Sequence, residues 1–180
     1  MRPHLWQYSL FCCLPLKFSV QGKVVNVTIN DQSPSLFYSP EDGWNDSLKP
    51  CPGCTAHPNA SKAIYGTWHD STHYPDVGSE LSPMPNVSAL FNGTAIYVIC
   101  ILAKTTTSPT GNSDMSFYID DDLVGQFIQA TPGEPGFEYN VTVYSNSSIP
   151  VGQHRFTLQN GHIGGNKSLA LFDALVYSYV

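Results

Sequence analysis

Charged side chains are scarce in this sequence of 180 residues: Asp, Glu, Lys and Arg make up 12% of it, about half of the roughly 25% usual in soluble globular domains. Only eight are Lys or Arg, and they are scattered along the chain. A surface that neutralises phosphates needs such residues clustered, so no nucleic-acid partner is expected. Long apolar runs are missing too. The longest, Ala95 to Ala103, has nine residues, well short of the ~18 that cross a bilayer, and no transmembrane span is expected in the chain. No stretch carries a helical period, no segment repeats another, and no G-x-S-x-G elbow marks a serine hydrolase. The carboxylates Glu41, Asp42, Asp46, Asp70, Asp76, Glu80 and Glu134 are dispersed, and their spacing nominates no pair for glycoside hydrolysis. The expectation is a non-catalytic domain with no cofactor.

Ser, Thr and Asn fill the polar positions instead. Eight asparagines stand in N-x-Ser/Thr sequons without a central proline: Asn26, Asn45, Asn59, Asn86, Asn92, Asn140, Asn146 and Asn166. Eleven asparagines among 31 serines and threonines in 180 residues would give about two by chance. The excess points to the secretory pathway, with the protein secreted or held on the extracellular face of the plasma membrane, and with glycans at exposed positions. The first 22 residues read as a signal peptide or disordered leader. Arg2 supplies a positive start, Leu5 to Val20 is mostly apolar, and Val20-Gln21-Gly22 offers a cleavage site, although Gln7, Tyr8, Pro15 and Lys17 interrupt the apolar stretch.

From residue 23 to 180 a single domain is expected, and its apolar pattern has period two. Val25, Val27 and Ile29 alternate with polar neighbours; so do Phe137, Tyr139, Val141 and Val143, and likewise His154, Phe156 and Leu158. Ala95 to Ala103 is apolar in both phases, which predicts a central strand covered on both faces. Asp120-Asp121-Asp122 between two apolar runs predicts a tight hairpin turn rather than a Ca²⁺ site. Fourteen prolines and fourteen glycines fall mostly between the runs. The pattern predicts an all-β, antiparallel β-sandwich or jelly roll. Asn26 and Asn140 fall on the polar phase of their strands, where a glycan can project into water.

Residues 39–85 show little periodicity and read as long loops or short strands at one end of the sandwich. Cys51-Pro52-Gly53-Cys54 with His69 and His73 spells C-x2-C-x14-H-x3-H, a zinc spacing. The stretch lacks a finger's small apolar core, carries the Asn59 sequon, and belongs to a chain bound for an oxidising compartment, so a local Cys51–Cys54 disulfide is the expected outcome and no metal is expected. Cys100, in the most apolar run, reads as a buried free thiol. Trp44, Tyr65, Trp68, His69, Asp70 and Tyr74 gather in the same stretch. Aromatic faces beside polar groups suit sugar rings, and these six are the candidate ligand-binding residues. The competing reading has the tryptophans pin loops to the sandwich.

The runs Gly66-Thr67-Trp68-His69-Asp70, Phe91 to Val98, Phe117 to Asp121, Gly152 to Leu158 and Leu171 to Tyr177 resemble those of a set of basidiomycete fungal surface proteins. Their ectodomain is similar to galactose-binding-like jelly rolls and carbohydrate-binding modules. The resemblance covers roughly Lys23 to Tyr179. It implies a galactose-binding-like jelly roll and brings no ligand residues with it. Members typically continue into a Ser/Thr-rich linker and a transmembrane helix, whereas this sequence ends at Val180. The expected function is therefore non-catalytic binding of carbohydrate or cell-wall material outside the cell. The alternatives are a structural or adhesive surface protein without a small ligand, and a divergent glycoside hydrolase or its accessory domain.

Overall fold

A computed structural model describes residues 22–75 and 83–179. The leader expected over residues 1–22 lies, apart from Gly22, outside the described residues. Among the described residues there are eleven strands: β1 (Val25–Asn30), β2 (Leu36–Ser39), β3 (Asn45–Asp46), β4 (His69–His73), β5 (Asn86–Asn92), β6 (Ala95–Ala103), β7 (Ser113–Ile119), β8 (Asp122–Gln129), β9 (Phe137–Asn146), β10 (Gln153–Asn160) and β11 (Ser168–Tyr179). They form two antiparallel sheets. One runs β3-β4-β11-β6-β9, with β1 also paired to β11; the other runs β2-β5-β10-β7-β8. Consecutive strands mostly alternate between the sheets, so the chain wraps around the core as a jelly-roll sandwich. Among the described residues no helix is long and apolar enough to cross a membrane.

The strand patterns explain the layers. Ile96, Val98, Cys100 and Leu102 of β6 face the inner core with Met115, Phe117, Phe156 and Leu158 of the other sheet, all of them buried. Ile101 and Ala103 point the other way, with Leu169 and Leu171, into a second cluster outside the six-stranded sheet. That cluster is roofed by Ala56, Ala63 and Trp68. Ala95 to Ala103 is thus covered on both faces because the irregular segment folds over the sheet. Cys100 is a buried free thiol; burial and Asp173 push its pKa up, which leaves it inert.

The turns follow local chemistry. Asp120 and Asp121 form the two-residue β7–β8 turn with φ of 52° and 72°, the pairing that a type I′ hairpin needs and that Asp tolerates. Asp120 accepts from the Arg155 N–H at 2.8 Å and lies 2.6 Å from His154 Nδ1, while Asp121 binds the Arg155 guanidinium. At Asn92-Gly93 the chain turns between sheets, and a Cβ on Gly93 would lie 2.5 Å from the Ser178 carbonyl oxygen.

Strict alternation fails at four register shifts, one between β11 and β6, two between β6 and β9 and one between β7 and β8. In β11 the register shifts between Phe172 and Ala174, so Phe172 and Leu175 both reach the inner core and Asp173 is the extra residue. In β9, Cys100 faces Val141 but Leu102 faces Glu138, and Asn140 takes φ 57°. Phe137 and Tyr139 therefore join the outer cluster, while Val141, Val143 and Tyr144 pack on the inner one. The period-two reading of residues 137–143 as one face is corrected by that bulge. Tyr144, which alternation puts on the polar side, stacks on Phe117 with ring centroids 4.8 Å apart. Phe117 is fully buried and touches the rings of Tyr144 and Phe156. Phe117→Ala is expected to lower unfolding free energy by about 3–5 kcal/mol in chemical denaturation; a loss under about 1 kcal/mol would contradict this packing.

Candidate functional site

The irregular segment is held down by a buried polar knot. Asp31, at the end of β1, has no solvent exposure. One carboxylate oxygen accepts from Thr67 Oγ1 at 2.5 Å; the other accepts from Gln32 Nε2 at 2.8 Å and lies 2.9 Å from His69 Nδ1. Tyr38 of β2 donates its hydroxyl to the Asp31 carbonyl at 2.8 Å and stacks flat on His69, with centroids 4.2 Å apart. Burial and the nearby Asp31 hold the Tyr38 phenol well above its ordinary range. Gln32 Nε2 also reaches Asp46 of β3 at 2.9 Å. Beside the knot, the bulged Asp173 accepts the Ile64 N–H on both oxygens, at 3.0 and 3.2 Å. A buried carboxylate is tolerated only where donors surround it, and Thr67, His69 and Ile64 among these donors come from the segment being anchored.

Against this floor sit three clefts whose walls share Asn45 and Cys51. The first, about 380 Å³, holds Asp70, Thr72, Tyr74 and Lys167. The second, about 330 Å³, holds Tyr38, Trp44, Asp46, Lys49 and His69. A small third cleft of about 90 Å³ places Trp68 and His57 against Asp70. Cys51 and Cys54 form a disulfide that shapes the rim of all of these.

The candidate residues are sorted rather than gathered. Trp44 is 7% exposed and packs on Tyr38 at the inner core; its indole N–H is buried without a hydrogen-bond partner among the described residues. Trp68 is half-buried under the outer cluster, with its indole N–H turned towards the Asp70 carboxylate but without a full hydrogen bond to it. His69 is engaged by Asp31. Asp70 is 7% exposed, accepts from Asn45 Nδ2 at 3.0 Å and has no ion pair with Lys or Arg among the described residues. Burial holds its carboxyl above the ordinary range, against the pull of Asn45 and of the neighbouring Trp68. Tyr74 is half exposed, with the Lys167 ammonium 4.6 Å from its ring centre. Tyr65 is 75% exposed and stands apart from the three clefts. Trp44, Trp68 and Tyr65 do not form one flat platform.

His73 is buried in β4, and its Nε2 has no partner among the described residues. With both thiols in the disulfide and His69 on Asp31, the zinc spacing does not converge as a site, and no cluster of three or more metal-ligating side chains occurs among the described residues. Asp31 and Lys167 escaped the sequence reading, which took Asn45 only as a sequon. Asp31 sits one residue beyond a strand, where a turn residue is expected, and no local signal marks it as the partner of a histidine 38 positions away.

No protein-family model and no curated protein matches the sequence. Among solved structures, the K3 cleaved adhesin domain of Lys-gingipain from Porphyromonas gingivalis W83 aligns with a TM-score of 0.52 at 14% identity, covering 88% of this chain and 100% of that one. The two share a fold. A family 35 carbohydrate-binding module from Clostridium thermocellum aligns at TM-score 0.47 and 9% identity, covering 85% of this chain and 98% of that module. An exo-β-1,3-galactanase from Phanerochaete chrysosporium aligns at 0.48 and 11%, and the chain spans 29% of its length. Identities this low concern the fold alone.

Asp173 gives the floor a pH dependence. Burial, with Asp31 adding to it, raises its pKa from 3.8 to about 6. The native state then holds a proton that the unfolded chain releases between those values, so stability rises as pH falls from about 6 towards 4. Asp173→Asn is expected to flatten that rise in denaturation curves at pH 4.5 and 7; an unchanged slope would contradict the assignment.

Proposed function

We propose that this chain is a non-catalytic, extracellular glycan-binding domain whose ligand enters the clefts around the Cys51–Cys54 loop. The observation that carries this reading is Asp70, a nearly buried carboxylate without a basic partner among the described residues, in the wall of a 380 Å³ cleft beside the half-exposed ring of Tyr74. A carboxylate takes two sugar hydroxyls as donors, and an aromatic face takes the apolar face of the ring. The indole N–H groups of Trp44 and Trp68 make no full hydrogen bond among the described residues. Such groups cost about 1–3 kcal/mol when buried, and hydroxyl oxygens drawn into the clefts would relieve that cost. The sequons support the extracellular setting: six of the eight asparagines are exposed, Asn86 and Asn146 are half-buried, and none is in the core.

The second reading, a surface adhesin that binds protein rather than sugar, draws on the open face of the five-stranded sheet. There Phe37, Ser88, Thr157, Tyr118 and Leu123 form one cross-strand row, with Phe37 and Leu123 more than half exposed. The shared fold with an adhesin domain is in keeping with it.

The chain made without N-glycans, on a glycan array, separates the two. Glycan binding is expected, and Asp70→Asn and Trp44→Phe should each weaken it about ten-fold or more, as loss of a hydrogen bond to a charged or buried group does. Asp70→Asn should leave stability unchanged or raised, since burial already disfavours that charge. Binding to no glycan, or binding that both variants retain, would sink the first reading.

A further inference from the structure

Among the eight sequons, Asn45 alone lies in the walls of the three clefts described above. Its residue is exposed, yet its Nδ2 points at Asp70 Oδ2, 3.0 Å away. The third sequon position is fixed as well: Ser47 Oγ accepts the Trp68 N–H at 2.9 Å, and the Ser47 N–H donates to the Trp68 carbonyl at 3.0 Å. Asn45 and Ser47 therefore belong to the framework of the site. The other sequons lie elsewhere. Asn26 pairs with Ser178 across β1 and β11, Asn59 closes a turn onto Ser61, and Asn92 ends β5.

We infer that Asn45 is a glycosylation switch for the cleft: a sugar chain attached there occupies the site in cis, and the form that binds external ligand carries Asn45 unmodified. This rests on the glycan-binding reading above. Transfer from a lipid-linked oligosaccharyl diphosphate forms a bond between Asn45 Nδ2 and the sugar's anomeric carbon. It breaks that carbon's bond to the diphosphate, which leaves with the electron pair, and the amide gives up one proton. Attachment to the chain before it folds meets no steric barrier. After folding, Nδ2 keeps one N–H for Asp70, and its other substituent is the first sugar. That ring is tethered at the wall of the cleft that Asp70, Thr72 and Cys51 also line, so its effective concentration there exceeds that of any free glycan. A site occupied in cis has its apparent affinity for outside ligand reduced in proportion to the fraction of molecules left open.

The test compares the full chain secreted from a eukaryotic host with Asn45→Gln and Ser47→Ala, which remove the same sequon through different contacts, and with Asn92→Gln as a control sequon away from the cleft. Glycopeptide mass spectrometry is expected to find Asn45 occupied in the wild type. Deuterium uptake over residues 41–46 and 68–74 should be lower in the secreted wild type than in the same chain made without N-glycans, and the Asn92→Gln control should match the wild type. On the array of oligosaccharides the two cleft variants should bind at least about ten-fold more tightly than the wild type. An unmodified Asn45, equal uptake, or equal binding by wild type and variants overturns the switch. Slower uptake in the wild type with no array binding by any form would uphold cis occupancy while removing the reading of an external glycan ligand.

Discussion

The structure turns on one buried carboxylate. Asp31 is fully enclosed, and its donors reach it from Gln32, Thr67 and His69, with Tyr38 pinned to its backbone. An enclosed charge without such donors would destabilise the fold by several kcal/mol. Each donor therefore fixes a piece of chain that has little apolar pattern of its own. Through Thr67 and His69 the knot orders β4; through Gln32 and Asp46 it orders β3; through the adjacent Asp173 it orders Ile64. The clefts are the gaps left where this anchored segment crosses the edge of the six-stranded sheet. Their geometry is set by hydrogen bonds rather than by close-packed side chains, which is why polar groups line them.

Much of the sandwich was legible because a half-buried strand writes its two faces at alternate positions. The double coverage of Ala95 to Ala103, the Asp120-Asp121 turn and the buried Cys100 were readable from residues within a few positions of one another. Bulges were not. Phe172 and Leu175 share a face only because Asp173 is inserted between them, and the phase of Phe137 and Tyr139 differs from that of Val141 only because Asn140 takes a left-handed conformation. Asp and Asn in strands look like polar-phase residues until the partner strand is known.

The candidate site was half legible for a related reason. Composition located it: the aromatic and polar residues of 39–85 do build the clefts. Orientation within β4 decided the rest. His69 turns inward to Asp31 and Asp70 turns outward to Asn45, so neighbours in sequence serve a structural knot and a cleft wall respectively. Trp44 and Trp68 pin the segment and also present polar edges that make no full hydrogen bond among the described residues. Asp31 and Lys167 lie far outside that stretch and enter only through tertiary contact.

Glycan binding in these clefts is the central claim, and the indole N–H groups report on it most directly. The chain labelled with ¹⁵N at tryptophan gives indole signals for Trp44 and Trp68, assigned by single substitution to Phe. Titration with oligosaccharides that bind on the array is predicted to move the Trp44 and Trp68 indole resonances downfield as each gains an acceptor. Saturated binding that leaves both resonances unmoved would contradict the account.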